Sequence, residues 1–299
     1  MAVKWKAYAV LANAGAAVVV FALCLTWGLS RRAAWYASVI SAFGFGSLYT
    51  LHDVFTADPL MYLLGPGTVL LLLQERVAVA GAVATVGVLA KEFVAAPLFI
   101  FTAVCWYERR WAFGWRVLAA ANLALIAWLA LQLTLIVRFN YGYGENPSTH
   151  LLSGGYLVAW IADQSPRGAV SAMVNVFGAL WILAPAGLWF APAALRRFTV
   201  AALPVALLFS YVQQPDRALW NFHFLASPLA ALVLDRAPAA LAWSTIGAFA
   251  FANLRLGAQL PGIPAARFAM ALSGMLALAA IAWSLRNPAH PAARAQVPA

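Results

Sequence analysis

Charge is what this chain of 299 residues has least of: Asp, Glu, Lys and Arg together make up 9% of it. A water-soluble domain carries about 25%, because charged side chains cover its surface, so a soluble fold is excluded. Cysteine is nearly absent as well. Cys24 and Cys105 show no metal-site spacing. Both fall near helix ends on the expected cytoplasmic side, where a structural disulfide would be reduced, so they read as small apolar packing residues. The chain has no P-loop, no GxSxG elbow, no HExxH helix and no GxGxxG turn, which removes the main signatures of ATP-driven pumps, hydrolases and nicotinamide enzymes. No internal repeat is visible, which weakens an inverted-repeat transporter. Asp and Glu number 9 against 19 Lys and Arg, a net charge of +10. In a soluble protein that excess would suggest nucleic acid. Here the cations sit between apolar runs, where membrane topology uses them, and no nucleic acid partner is expected.

What the chain does have is apolar sequence: 65% of residues are hydrophobic and 13 are Trp. Apolar runs separated by Arg pairs, Pro and Gly predict an all-α, polytopic membrane bundle, since only helices close every backbone hydrogen bond within one lipid-embedded segment. About eleven spans, within a range of nine to twelve, are expected near 8–29, 33–51, 59–73, 77–90, 93–107, 114–137, 168–190, 198–212, 220–234, 238–256 and 264–285. Several are shorter than the roughly 20 residues a crossing needs, so paired, broken or re-entrant segments are expected among them. The organisation predicted is one transmembrane domain, 1–286, with an external loop at 138–167 and a disordered cytoplasmic tail at 287–299. Lys4 and Lys6 precede an apolar run without a small-residue cleavage site, so the first run is read as a helix and not as a signal peptide.

Lys and Arg in short loops mark the cytoplasmic side. If the Arg31-Arg32 turn is cytoplasmic, alternate crossing also puts Arg76, Arg109-Arg110, Arg196-Arg197, Arg236 and Arg286 there. The opposite, external side then receives His52, Asp53, Asp58, Lys91, Glu92, Arg138, Asp216, Arg217 and His223. Short basic turns on one side and mixed charges with His, Tyr and Trp on the other put any site on the external face.

Three segments concentrate chemistry there. TLHDVFTADPL, residues 50–60, brings His52, Asp53 and Asp58 together. Two carboxylates in a partly dehydrated setting can divide into acid and base, or share a divalent cation with phosphate oxygens. Asp58-Pro59 also reads as a helix start, with Asp as the N-cap and Pro as the first helical residue. VLAKEFVAAPL, residues 88–98, sets Lys91 and Glu92 inside an apolar stretch, where ionisable groups must snorkel, pair or face a polar cavity. Neighbours on a helix do not face one another, so each needs another partner. Lys91 suits a phosphate, with Glu92 orienting it or bonding a sugar hydroxyl. QQPDRALWNFHFLASPL, residues 213–229, adds Arg217, Trp220 and His223. Arg offers a donor fork to a phosphate and Trp a face to a sugar, while an aromatic belt with an Asp216 cap explains the same residues without a ligand.

The order of these features resembles the GT-C fold class of polytopic glycosyltransferases. In that class an Asp-containing segment at an outer helix start is followed about thirty residues later by an LxKE segment, matched here by Asp58-Pro59 and Leu89-Ala90-Lys91-Glu92. The PDRALWNFHFLASPL stretch is similar to a late segment of the family, with Arg217 and Pro228 at matching places. The resemblance implies transfer of a sugar from a polyprenyl-phosphate donor to an envelope acceptor, on the outer face of a plasma membrane such as a bacterial inner membrane. Lys91 and Arg217 would hold the donor phosphate and Glu92 and Asp58 would shape the pocket, with Arg138, Trp220, His223 and His52 as further substrate-binding residues. The family places its catalytic acid in the first external loop. Here the first turn, Ser30 to Ala33, is basic. The departure implies either a truncated or degenerate member, lacking the family's first helix and loop, or a complete and active chain in which Asp53 or Asp58 serves as the base. The expected partners are the lipid-linked donor and membrane lipids, and the one cofactor the residues allow is a divalent cation.

The rival reading is a non-enzymatic membrane protein: a lipid or small-solute transporter, or a subunit of an envelope complex. It predicts polar groups along a path through the bilayer. The helix midsections offer only scattered ones, Asn122, Gln132, Thr134, Asn175 and Asn253, which favours a site at one face. An acyl or phospholipid transferase using His52 or His223 has no supporting motif.

Overall fold

The computed structural model describes residues 2–52, 56–139, 177–212, 219–256 and 264–287. Every regular element among them is helical. The elements are α1 (Ala2–Thr26), α2 (Arg31–Ala42), α3 (Phe45–His52), α4 (Asp58–Leu73), α5 (Val77–Gly87), a 3-10 turn (Glu92–Ala95), α6 (Ala96–Tyr107) and α7 (Trp111–Phe139). They continue with α8 (Leu180–Phe190), α9 (Ala193–Val212), α10 (His223–Arg236), α11 (Ala239–Leu256) and α12 (Pro264–Arg286). Among the described residues, three helical stretches are long and apolar enough to cross a membrane: Val3–Thr26, Trp111–Phe139 and Phe268–Arg286. Several others are apolar but shorter. The expected span at 33–51 is two helices, because α2 ends at Ala42 and α3 begins again at Phe45. The expected spans at 77–90 and 93–107 meet in an extended residue and a 3-10 turn. The expected external loop lies outside the described residues apart from its first two, and so does the tail beyond Asn287.

α10 is the axis of the bundle. Ten of its residues are buried, from His223 to Leu234, and it packs on α2 and α8. α1 lies along α4 and α2, α5 and α6 clasp α7, and α11 pairs with α12. The outward face of α7 explains its place. Gly114, Val117, Ala121 and Ala124 form its buried stripe, while Leu123, Ile126, Leu129, Leu133 and Ile136 are exposed. Small residues inward let helices approach, and large apolar residues outward suit hydrocarbon. This pattern is the reverse of a soluble helix. With 29 residues, α7 is about 43 Å long at 1.5 Å per residue, more than the roughly 30 Å of a bilayer core.

Three turns at one end share a design. Leu29 donates to the Cys24 carbonyl and Gly28 to that of Leu25; the same pair of bonds recurs at Arg76 and Glu75, and at Arg110 and Arg109. These are Schellman caps, which need a left-handed residue at their centre. Gly28 adopts it at φ 81°, but Glu75 and Arg109 hold it as non-glycines at φ 59° and 60°. Their side chains show why Glu75 is kept: it pairs with Arg110. Arg109 is exposed and has no such partner among the described residues. Arg109→Gly should therefore raise stability by about 1 kcal/mol, the cost of a left-handed non-glycine, whereas Glu75→Gly should gain less because it loses the Arg110 contact. Thermal unfolding of the two variants in detergent, beside the parent, checks the order.

The same end gathers the acidic residues left among the basic turns, each bound to an arginine from another helix. Glu75 pairs with Arg110, Glu108 with Arg197 at 2.6 Å, and Asp235 with Arg32 at 3.4 Å. The turns that alternate crossing assigns to one side are thus tied together in space.

Candidate functional site

The opposite end holds an ion pair between two of the three sequence segments. α4 begins at Asp58, with Ala57 as the cap residue and Pro59 in the first turn. The Thr56 hydroxyl accepts from the Asp58 N–H at 3.2 Å. This corrects the expectation that Asp58 is the N-cap: the cap position is Ala57, without a side-chain cap hydrogen bond, and Asp58 is the first helical residue. The residue is 3% exposed, at a helix N-terminus, where the dipole favours negative charge.

Its partner is Lys91. After α5 ends, the Lys91 N–H still donates to the Gly87 carbonyl at 2.9 Å, but its backbone is extended, φ -157° and ψ 121°. That break in the helix turns the side chain across the start of α4, which packs on both α5 and the 3-10 turn. Nζ lies 3.3 Å from Oδ1 of Asp58, the side chains being 17% and 4% exposed. The ammonium also stands 5.9 Å from the centre of the Phe93 ring. Glu92, half-buried, opens the 3-10 turn. From α1, Tyr8 lies against the Leu60 backbone in the field of Asp58.

Deeper in the bundle a polar chain runs from α1 to α10. Asn13 Nδ2 donates to the Ser47 carbonyl at 3.0 Å and to Thr50 Oγ1 at 2.9 Å. Ser47 donates to the Ser41 carbonyl, and the Ser41 hydroxyl lies 2.9 Å from His223 Nδ1. The other edge of the imidazole faces the Tyr62 backbone without reaching hydrogen-bond geometry. Pro66, four residues after Tyr62, has no N–H to donate to the Tyr62 carbonyl within the helix. Trp220 stacks on His223, centroids 5.8 Å apart at 20°, and meets Phe177 at 5.6 Å.

Of the expected site residues, Asp58 and Lys91 are brought into contact and Glu92 is adjacent in sequence. Trp220 and His223 are in the interior, both 0% exposed, with the indole wedged against Gly44 and Gly46. The expectation for both is substrate binding; here the Tyr62 ring packs against His223, the Phe177 ring against Trp220, and the two against each other. Arg138 is exposed on the last turn of α7, and no described ion pair or hydrogen bond joins it to Lys91. The His52 side chain, Asp53 and Arg217 lie outside the described residues. Among the described residues no group of three or more His, Cys, Asp or Glu is placed to hold a metal ion.

Tyr8, Asn13, Ser41 and Tyr62 were not singled out in sequence. Single hydroxyls and amides on apolar helices have no spacing signature; only the Gly44-Phe45-Gly46 break and Pro66 hinted that the backbone departs from regular helix there.

Asp58 and Lys91 form an ion pair in which the ammonium stays partly accessible. No family model, curated protein or solved structure matches the chain.

Proposed function

We propose that the protein is a membrane-embedded glycosyltransferase of GT-C type, with about eleven crossings. It would take a sugar from a polyprenyl-phosphate donor at the end of the bundle opposite the arginine-bearing turns, on the external face of the membrane. The observation that supports this reading is the Asp58–Lys91 pair. It joins the two segments on which the family resemblance rests, and leaves a cation of limited exposure where a lipid-phosphate could reach it. In this reading Lys91 binds the donor phosphate, Asp58 positions Lys91, and Glu92 bonds a sugar hydroxyl. The mixed charge of this end, against the basic turns of the other, supports its external orientation.

The test is transfer of label from a panel of radiolabelled polyprenyl-phosphate sugars to lipid acceptors, with purified protein in liposomes. Transfer by the parent is expected. Lys91→Ala should reduce it at least tenfold, as loss of a charge-assisted contact to phosphate does. Absence of both donor binding and transfer in the parent would sink the reading.

The transporter reading keeps one observation in its favour. Trp220 Nε1, Asn221 Nδ2 and Ser227 Oγ are buried without hydrogen-bond partners, and such groups normally meet protein or water. Flux of a small polar solute in the same liposomes would favour that reading.

A further inference from the structure

The arginine-bearing end contains a cavity of about 640 Å³ that the proposed transfer does not use. Its wall includes Ser30, Arg32, Phe190, Asp235, Arg236 and Trp283. We propose that this cavity binds a phosphate-bearing anion, with Arg236 as its principal contact and an anionic phospholipid headgroup as the form it takes in the membrane.

The argument begins with which cations of this end are already engaged. Arg32 faces Asp235, and also donates to the Tyr36 hydroxyl and the Ala237 carbonyl. Asp235 accepts from Ser30 as well, at 2.8 Å, so its two oxygens are both taken. Arg110 and Arg197 have Glu75 and Glu108. Arg31, Arg76, Arg109, Arg116, Arg196 and Arg286 are exposed to solvent, where a charge needs no partner. Arg236 differs from all of these. It is half-buried, its guanidinium lies 4.1 Å from the centre of the Phe190 ring, and no carboxylate pairs with it among the described residues. The ring holds one face of the planar group and leaves the N–H edge for a ligand.

The wall therefore carries two guanidinium groups against one carboxylate, a net positive charge in a concave space. Three helices also start at it, since Ser30, Pro192 and Pro238 line the cavity and open α2, α9 and α11. Four helices, α1, α8, α10 and α12, end there, through Gly28 and Leu29, Phe190, Arg236 and Trp283, which cancels the dipole contribution of the starts. The sign of the site is consequently decided by Arg236. Its planar donor edge suits phosphate oxygens. Trp283, 45% exposed on the last turns of α12, fits the interfacial level at which headgroups lie. Basic pockets between helices at that level are where acidic headgroups bind.

The test uses the full chain purified in neutral detergent. Thermal unfolding and native mass spectrometry are recorded with dioctanoyl phosphatidylglycerol, dioctanoyl phosphatidylcholine, glycerol 3-phosphate and inorganic phosphate. Arg236→Gln is compared with Arg286→Gln, an exposed control at the same end. Phosphatidylglycerol is expected to stay bound and raise the melting temperature, phosphatidylcholine to do neither, and Arg236→Gln to weaken binding at least tenfold while Arg286→Gln leaves it within twofold. Equal protection by inorganic phosphate would keep the site and assign it to a soluble anion. Binding lost equally in both variants would show a diffuse basic surface and overturn the proposal, as would no binding in the parent. If Arg236→Gln does not fold, Phe190→Leu, which removes the ring that holds the guanidinium, must weaken phosphatidylglycerol binding for the proposal to stand. None of these readings depends on transferase activity, so failure here leaves that reading separate.

Discussion

Removing the positive member of the Asp58–Lys91 pair with Lys91→Met is expected to cost about 3 kcal/mol of stability, the low end of the range for breaking a buried pair. The asymmetry between its members fixes the order of effects. Asp58 is 4% exposed at its side chain and Lys91 17%, so a carboxylate left alone has less access to water than an ammonium left alone. Asp58→Asn should accordingly cost less, about 1–2 kcal/mol, because Lys91 can extend toward the interface. The double variant should recover much of the loss, since no uncompensated charge remains. A double-mutant cycle by SDS titration or thermal unfolding in detergent measures the coupling. Additive single effects would show that the two side chains do not interact in the folded protein. The cycle also separates structure from function. If Lys91 binds the donor phosphate, the double variant regains stability and not transfer.

The second large effect is expected at Gly187. A Cβ built there would stand 2.0 Å from the Leu229 carbonyl oxygen and 2.5 Å from its carbon. The obstacle is backbone, not a movable side chain end, so α8 and α10 would have to separate. Overpacking typically costs about 1–3 kcal/mol, and Gly187→Ala should reach the upper part of that range because it parts two helices along their contact. Gly46→Ala meets first the Trp220 ring, at 1.8 Å from Cδ1, a side chain and not backbone, and should cost less. The measured quantity is the unfolding midpoint of both variants in one detergent. A smaller loss at Gly187 than at Gly46 would contradict the close α8–α10 approach.

Membrane class was legible before any coordinates. A chain with 65% hydrophobic and 9% charged residues broken into apolar runs reads as helices able to cross lipid, and three described helical stretches are long and apolar enough to do so. The arginine positions further ordered the turns, and the structure ties those turns through Glu75, Glu108 and Asp235. Helix boundaries were less legible. Apolar runs mark where helices can form, but α2 and α3 divide at Gly44 because Trp220, far along the chain, needs that space. Lys91 leaves the helix because its extended backbone carries it to Asp58.

The candidate site shows the same division. Sequence alone determined that ionisable residues at 58, 91 and 92 interrupt apolar stretches and need partners, because an isolated charge is costly in lipid. Which partner each finds depends on helix packing, and no local pattern encodes that. Only the tertiary structure joined Lys91 to Asp58, carried Trp220 and His223 into the interior, and left Arg236 beside a cavity without a carboxylate among the described residues. The physical reason is that hydropathy and charge are properties of single residues and short windows. Pairing, burial and cavities arise from the approach of helices separated by many residues, and close contacts such as Gly187 against Leu229 set that approach.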